Sequence, residues 1–476
     1  MINSKNLSFR QLLSIALIAN CIFLLFYDLF FKKVLLAHFN NLSDIIDKKY
    51  YLNIFAHFDF SLVFFSLILL LIYIFFSKIK NYFLSIRNEK SVLISLVVVS
   101  IILQLTILFV IHTKPIADSK FYIAQAERLF QTGSYINASG NLTGFWPVGL
   151  PAYLAFLMLI TTRFIFLAKL INVIIFSMFI ITLYYLFKEE LTLRGRLIFL
   201  FSFIFFPNNL FSSNCILTDY IFSFLIWLTV FLLLKKENNY TWLIIVSVLL
   251  ALMSYLRPIG LLLPLIFSVY LIISNGLKNS YKKILLICTI FGIIIMPWII
   301  RNYQVFHEVV PMSTNGGINF LMGNNKNSNG NVDFNFDYDT TISEPNASRK
   351  AYIKGIDEIL TDPVTAIIRL PKKIFFSYWR GDSSITWSLK ETENNISPLI
   401  LSLIFFSANY SFYILLVISL LSIFSRKKIF RDSRLKNIMV ILYIYFILVI
   451  LVYVGSERYL IPVLPVHFLL LAKFFS

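Results

Sequence analysis

Charged residues are scarce in this chain: Asp, Glu, Lys and Arg make up 14% of its 476 residues, against about 25% in soluble globular domains. That scarcity excludes an ordinary soluble protein. Cysteine is nearly absent as well. Cys21, Cys215 and Cys288 are the whole complement, with no CxxC pair and no histidine at ligand spacing, which excludes a disulfide framework or a zinc ribbon. The five histidines, His38, His57, His112, His307 and His467, are scattered. There is no GxGxxG, Walker A or HExxH pattern, so nucleotide binding and zinc hydrolysis have no motif to rest on. Acid is the rarer charge, 24 residues against 42 Lys and Arg, for a net charge of +18. The basic residues lie in short clusters between apolar runs and not on one soluble face, so topology accounts for the charge and no nucleic-acid partner is expected.

What is present is apolar length. Hydrophobic residues form 58% of the chain, and the mean hydropathy is +0.79. The runs approach the roughly 20 residues a helix needs to cross about 30 Å of hydrocarbon, and they lack the alternation of barrel strands. The pattern predicts an all-α polytopic membrane protein of about twelve transmembrane helices: 11–31, 60–77, 91–112, 164–187, 197–211, 216–234, 242–255, 258–274, 284–300, 399–424, 438–454 and 459–475. The first run is too long for a signal peptide and lacks a small-residue cleavage site, so it is read as a retained helix.

Five loops carry the basic residues: Lys78, Lys80, Arg87 and Lys90; Lys188, Arg194 and Arg196; Lys235 and Lys236; Lys278, Lys282 and Lys283; and Arg426, Lys427, Lys428, Arg431, Arg434 and Lys436. If these are cytoplasmic, both termini are cytoplasmic, and Asp118, Asp219, Arg257, Arg458 and the 302–398 stretch share the extracytoplasmic side. The run 150–160 is apolar but short, and Pro147 and Pro151 flank it. Counting it as a crossing would invert every later basic loop, so a re-entrant or interfacial helix is expected there. The expected organisation is N-terminal transmembrane helices in 1–90, a transmembrane module in 91–301 with an outer-face loop at 113–163, an extracytoplasmic loop subdomain in 302–398, and C-terminal transmembrane helices in 399–476. Within the subdomain, helical patterns cover 348–360 and 364–376, the second interrupted by Pro371. No internal repeat is visible, which argues against transporters built from inverted halves.

Against that background, a few polar residues stand out. Asp118 is the first carboxylate after the run 91–112, and it heads a helical pattern in which Tyr122, Ala126, Leu129 and Phe130 share a face. Asp219 begins the run 216–234. A helix N-terminus explains either carboxylate without chemistry; acceptor activation by one and acceptor or metal positioning by the other is the functional alternative. Arg257 and Arg458 lie on the same side, where a cation opposes the usual bias. Snorkelling explains them blandly, and Glu457 is available to pair with Arg458, but a planar guanidinium also suits phosphate. Arg301, between Trp298 and Tyr303, is read as an interface anchor. The Gly316-Gly317 and Gly323-Asn324-Asn325 turns would suit a tight turn or a sugar-binding loop.

Taken in order, these motifs resemble a family. Asp118 with Tyr122 and Ala126, then Gly133 and Tyr135, Trp146-Pro147-Val148-Gly149-Leu150-Pro151, Leu217-Thr218-Asp219, Leu256-Arg257-Pro258, Pro297-Trp298 with Arg301-Asn302-Tyr303, the 316–325 glycine and asparagine loop, and Arg458-Tyr459 with Pro462 and Pro465 look like the polyprenyl-phosphate-dependent glycosyltransferases of the GT-C fold. That group includes bacterial relatives of protein mannosyltransferases and aminoarabinose transferases, and is glycosyltransferase 39-like. The resemblance spans about 111–465, and each motif is weak alone. It implies a GT-C-like bundle with outer-face surface helices and a sugar passed from a polyprenyl-phosphate carrier to a glycan, lipid or protein acceptor with inversion. In it, Asp118 is the base, Asp219 and Tyr122 line the acceptor or metal position, Arg257 and Arg458 hold the lipid phosphate, and Asn324 and Asn325 belong to a sugar-binding loop. No cofactor is required, and a divalent metal is left open. The chain departs from the commonest pattern by placing two spans before the one leading to Asp118. The alternatives are a flippase or other transporter of lipid-linked oligosaccharide, and a polysaccharide polymerase or ligase.

Overall fold

The computed structural model describes residues 45–85, 88–332, 336–425 and 430–476. Among them are nineteen α-helices and no strand, only isolated bridges. This is the fold of a helical integral membrane protein. Six helices are long and apolar enough to cross a bilayer, or up to eight when two bent pairs each count as one. The expected span 11–31 and Cys21 lie outside the described residues; each of the other eleven expected stretches coincides with a helix or helix pair. The bend in the pair Leu193–Ile204 and Pro207–Asn214 is 61°. It follows from Pro207, which holds Phe206 extended and so interrupts the helical ladder.

Four long helices set the two ends of the bundle. The Glu89–Val110 helix starts beside Arg196, which donates to Glu89 from both Nε and Nη2. It finishes where Asn214 donates to the Ile111 carbonyl and, at 2.7 Å, to Thr113. Asp219–Lys236 runs back toward the Arg196 end, Tyr240–Leu256 returns, and Ser433–Val452 rises again. At the first end the basic loops interlock: Glu190 accepts from the backbone N–H groups of Arg431 and Asp432 and from Lys473, Glu237 pairs with Arg434 at 3.4 Å, and Lys283 donates to Asn238. Arg87 and Arg426 to Lys428 fall outside the described residues. Asp118, Asp219, Arg257 and Arg458 therefore share the other end, as the charge pattern predicts.

The interior is aromatic. Phe176, Phe179, Phe199 and Phe203 stack in offset and edge-on pairs, and Trp227, fully buried, donates its indole N–H to the Pro462 carbonyl at 2.8 Å. The Gly149–Ile160 helix has 12 residues, about 18 Å, too short for a crossing. It nests against Tyr240–Leu256 because Gly149 has no side chain; a Cβ there would lie 2.6 Å from the Tyr255 carbonyl oxygen.

The 302–398 stretch is helical and tied to the bundle. Glu344–Thr361 and Pro363–Tyr378 follow the expected 348–360 and 364–376 patterns. Pro371 does not interrupt the second: it sits inside a continuous helix, where it forgoes one backbone hydrogen bond. Arg301 is more than an interface anchor. It donates to the carbonyls of Thr143 (2.6 Å) and Tyr135 (2.9 Å) and lies 4.9 Å from the Trp298 ring. Glu344 completes that junction by accepting from Gly144 and Thr314.

Candidate functional site

Each of the four charged residues sits where a helix begins or ends. Asp118 is in the first turn of Ala117–Thr132, Asp219 opens Asp219–Lys236, Arg257 caps Tyr240–Leu256, and Arg458 lies in the 3₁₀ segment Glu457–Val463. The fold joins them in a ladder. Arg458 donates from Nη1 to Asp118 Oδ2 (2.6 Å), and from Nε and Nη2 to Asp219 Oδ2 (3.1 and 2.9 Å). Arg257 donates from Nη1 to the other oxygen of Asp219. Carboxylate and guanidinium alternate, so the formal charges cancel and no ion is left unpaired. Aromatic rings flank the cations: Trp387 lies 5.1 Å from Arg458, and Tyr459 lies 5.4 Å from Arg257.

Exposure separates the two acids. The Asp219 side chain is 3% exposed and that of Asp118 29%. Asp118 is thus the carboxylate open to an incoming molecule, and its Oδ1 has no hydrogen-bond partner among the described residues. Neither acid serves as a helix cap. The cap positions are Ile116 and Thr218, and neither makes a side-chain cap bond. Directly before Asp118, Ala117 has φ +40°, a left-handed conformation that costs a residue with a Cβ about 1–2 kcal/mol. Tyr122, one turn on, is buried edge-on to Trp146 at 5.4 Å. Burial pushes its phenol well above the ordinary range, and the nearby Asp118 charge adds to this, so Tyr122 is a neutral wall of the site.

Donor counting distinguishes the arginines. A guanidinium has five N–H donors. Arg458 directs all three of its nitrogens at the two carboxylates, whereas Arg257 uses one. The pairing that Glu457 could offer Arg458 does not form. Glu457 accepts instead from Arg380 at 3.2 Å, since adjacent residues of a 3₁₀ turn point in different directions.

Arg380, Asp382, Glu457 and Tyr51 form a second polar cluster that the sequence reading missed. Arg380 donates to Tyr51 at 2.7 Å and lies 3.2 Å from Asp382. Asp382 is fully buried, and burial pushes its carboxyl up. The signal was there: Arg380-Gly381-Asp382 is a charged triplet directly after the apolar run ending at Trp379. Between the clusters, Asp219, Arg458, Trp387, Ser213 and Ser384 line a cavity of about 20 Å³, room for about one water and not for a sugar ring. The Ser213 hydroxyl has no hydrogen-bond partner there among the described residues.

Asn324 and Asn325 are turned inward. Asn324 donates to the Phe320 and Val452 carbonyls and accepts from Lys373, while Asn325 donates to Leu321 and Met322 and accepts from the Asn327 N–H. Their amides close a helix end, which leaves little for a sugar. For a metal, the fit is poor: among the described residues no group of three or more His, Cys, Asp or Glu side chains converges, and Arg458 holds the bridging position between Asp118 and Asp219. No protein-family model, curated protein or solved structure matches the chain.

Proposed function

We propose that this chain is a membrane glycosyltransferase that moves a sugar from a polyprenyl-phosphate carrier to an acceptor on the side of the membrane opposite the basic loops. The observation that carries the reading is the ladder Arg257–Asp219–Arg458–Asp118, buried at one end and finishing in a carboxylate with one oxygen open. In the reaction Asp118 Oδ1 takes the proton of an acceptor hydroxyl or amine as that atom attacks the anomeric carbon from the face opposite the phosphate. The bond from the anomeric carbon to the phosphate oxygen breaks, configuration inverts, and polyprenyl phosphate leaves with the electron pair. General-base assistance of this kind contributes about 10²–10⁴-fold.

Arg257, with four donors uncommitted among the described residues, is the phosphate ligand of this scheme. Arg458 is assigned a positioning role, because its nitrogens already bind both acids; its salt bridges hold Asp118 in place while Asp219 anchors the pair. The strained Ala117 fits this arrangement, since strain at the residue before a working group is retained where it orients that group. No step passes through a metal.

The test is incubation of the purified chain, in lipid, with a panel of polyprenyl-phosphate sugars and simple hydroxyl acceptors, reading released polyprenyl phosphate. Release with one donor, lost in Asp118→Asn but not in a surface control, supports the reading. Translocation of intact lipid-linked sugar with no release would replace it with the transporter alternative.

A further inference from the structure

The Pro363–Tyr378 helix is built inside out. Its protein-facing stripe is polar: Arg369, Lys373 and Ser377, spaced one turn apart, are 5%, 0% and 0% exposed. Its outward face is mostly apolar, with Val364 65%, Ile367 66%, Ile368 53% and Phe375 61% exposed, and it carries one exposed cation, Lys372, whose long stem lets the ammonium reach the polar surface. A helix lying in water shows the reverse arrangement. The buried cations are served internally: Lys373 donates to Asn324 and to the Leu451 carbonyl at 2.9 Å each, and Arg369 donates to the Ser328 carbonyl. An outward apolar face of this kind marks a surface that meets lipid or another protein.

Its placement along a neighbour says which medium. Lys373 meets Leu451 at the site end of Ser433–Val452, and Tyr378, five residues on, meets Tyr443, eight residues back from Leu451. The 373–378 part of the helix therefore descends beside Ser433–Val452 from its end toward its middle, over about 12 Å of that helix. Ser433–Val452 is one of the six candidate spans, and its own outward residues Ile444 (53%), Leu448 (53%) and Val452 (47%) are exposed apolar side chains. Phe375, in the part that runs alongside, is exposed and apolar as those residues are. With 16 residues, Pro363–Tyr378 is too short to cross.

We propose that Pro363–Tyr378 is immersed, without crossing, in the acyl chains of the leaflet at the site end, with its outward face as a lipid-contact surface. Membrane lipid is the partner, and the Phe375 end is the deeper one. This stands on exposure and packing and is independent of the reaction proposed above.

Spin labels test it in the full-length chain reconstituted in phosphatidylcholine vesicles. Ile367→Cys, Phe375→Cys and the control Thr340→Cys are made with Cys21 and Cys288 replaced by alanine; Cys215 is buried and stays. Collision with molecular oxygen, which partitions into acyl chains, is compared with collision with a water-soluble nickel chelate. The expected result is strong oxygen and weak nickel collision at 367 and 375, more marked at 375, with the opposite at 340. Nickel collision at 367 and 375 equal to that at 340 would place the face in water and overturn the proposal. Protection from both reagents would mean that protein covers it, which overturns the proposal equally. Since both sites are exposed and independent, either alone decides if the other variant does not express.

Discussion

The two ends of the bundle both carry buried ion pairs, and they differ in saturation. At the basic-loop end Glu190 accepts from Lys473 and from the backbone N–H groups of Arg431 and Asp432, and Glu89 accepts from Arg196 and Tyr184. At the other end Asp118 keeps an oxygen open, Arg257 keeps four donors, and the residue before Asp118 is strained. Full pairing fixes loops. Incomplete pairing in the same currency of carboxylate and guanidinium leaves groups able to meet something that is not in the fold, and that is the physical ground for placing chemistry at one end and architecture at the other.

Exchanging the two roles by mutation is the sharpest way to break the comparison. Asp118→Asn keeps shape and removes a base, so turnover in the polyprenyl-phosphate release assay should fall about 10²–10⁴-fold, with a thermal midpoint close to wild type because the side chain is partly exposed. Glu190→Ala should do the converse: it removes the buried carboxylate shared by Lys473 and the Arg431 and Asp432 N–H groups, costs about 3–5 kcal/mol in unfolding experiments, and leaves the rate per folded molecule unchanged. If both variants lost stability and neither lost rate selectively, the distinction between the ends would be gone.

A smaller effect is expected at Arg257. Arg257→Ala removes the proposed phosphate donor while Asp219 retains Arg458. Losing a charged hydrogen bond of about 1.5–3 kcal/mol should raise the KM for the lipid donor about tenfold or more, with a lesser change in kcat. Unchanged donor saturation would assign Arg257 to structure alone and make the two ends more alike. Ala117→Gly sits lower still: it relieves a left-handed conformation worth about 1 kcal/mol, offset in part by the freedom glycine adds to the unfolded chain. Slightly raised stability with reduced turnover is the outcome that ties the strain to the orientation of Asp118.

Much of this was legible in the sequence, because helix location and sidedness follow from local rules. Apolar run length located the helices, and alternating basic loops put Asp118, Asp219, Arg257 and Arg458 at one end. Pairing was not legible. Whether Arg458 turns to Glu457 or to Asp118, 340 residues away, depends on the twist of a 3₁₀ turn that no spacing rule reports. Asn324 and Asn325 look like loop amides until the carbonyl of Val452 and the ammonium of Lys373 arrive beside Asn324. Pro371 suggests a break, yet one lost hydrogen bond is tolerated in a helix held on both sides. The inside-out pattern of Pro363–Tyr378 was hidden because periodicity gives the two faces of a helix and not which of them meets the protein.

The last contrast concerns two of the buried lysines, one at each end. Lys473 is matched with Glu190, whereas Lys373 is held by the neutral oxygens of Asn324 and Leu451. Burial, with the like charge of Arg369 second, pushes the Lys373 ammonium down to about 7. The sign follows from proton uptake. Between about 7 and the ordinary value of 10.5, the unfolded chain binds a proton that the folded chain has released, so stability rises with pH across that window. Below it both states are charged and this contribution is flat. The thermal midpoint of the wild type, measured in lipid from pH 6 to 9, should therefore rise relative to that of Lys373→Met, which has no group to titrate there. Parallel pH profiles for the two proteins would mean that Lys373 keeps its proton throughout. In that case this end of the bundle would shield a buried cation as fully as the basic end does, and the difference in saturation would narrow to Asp118 and Arg257 alone.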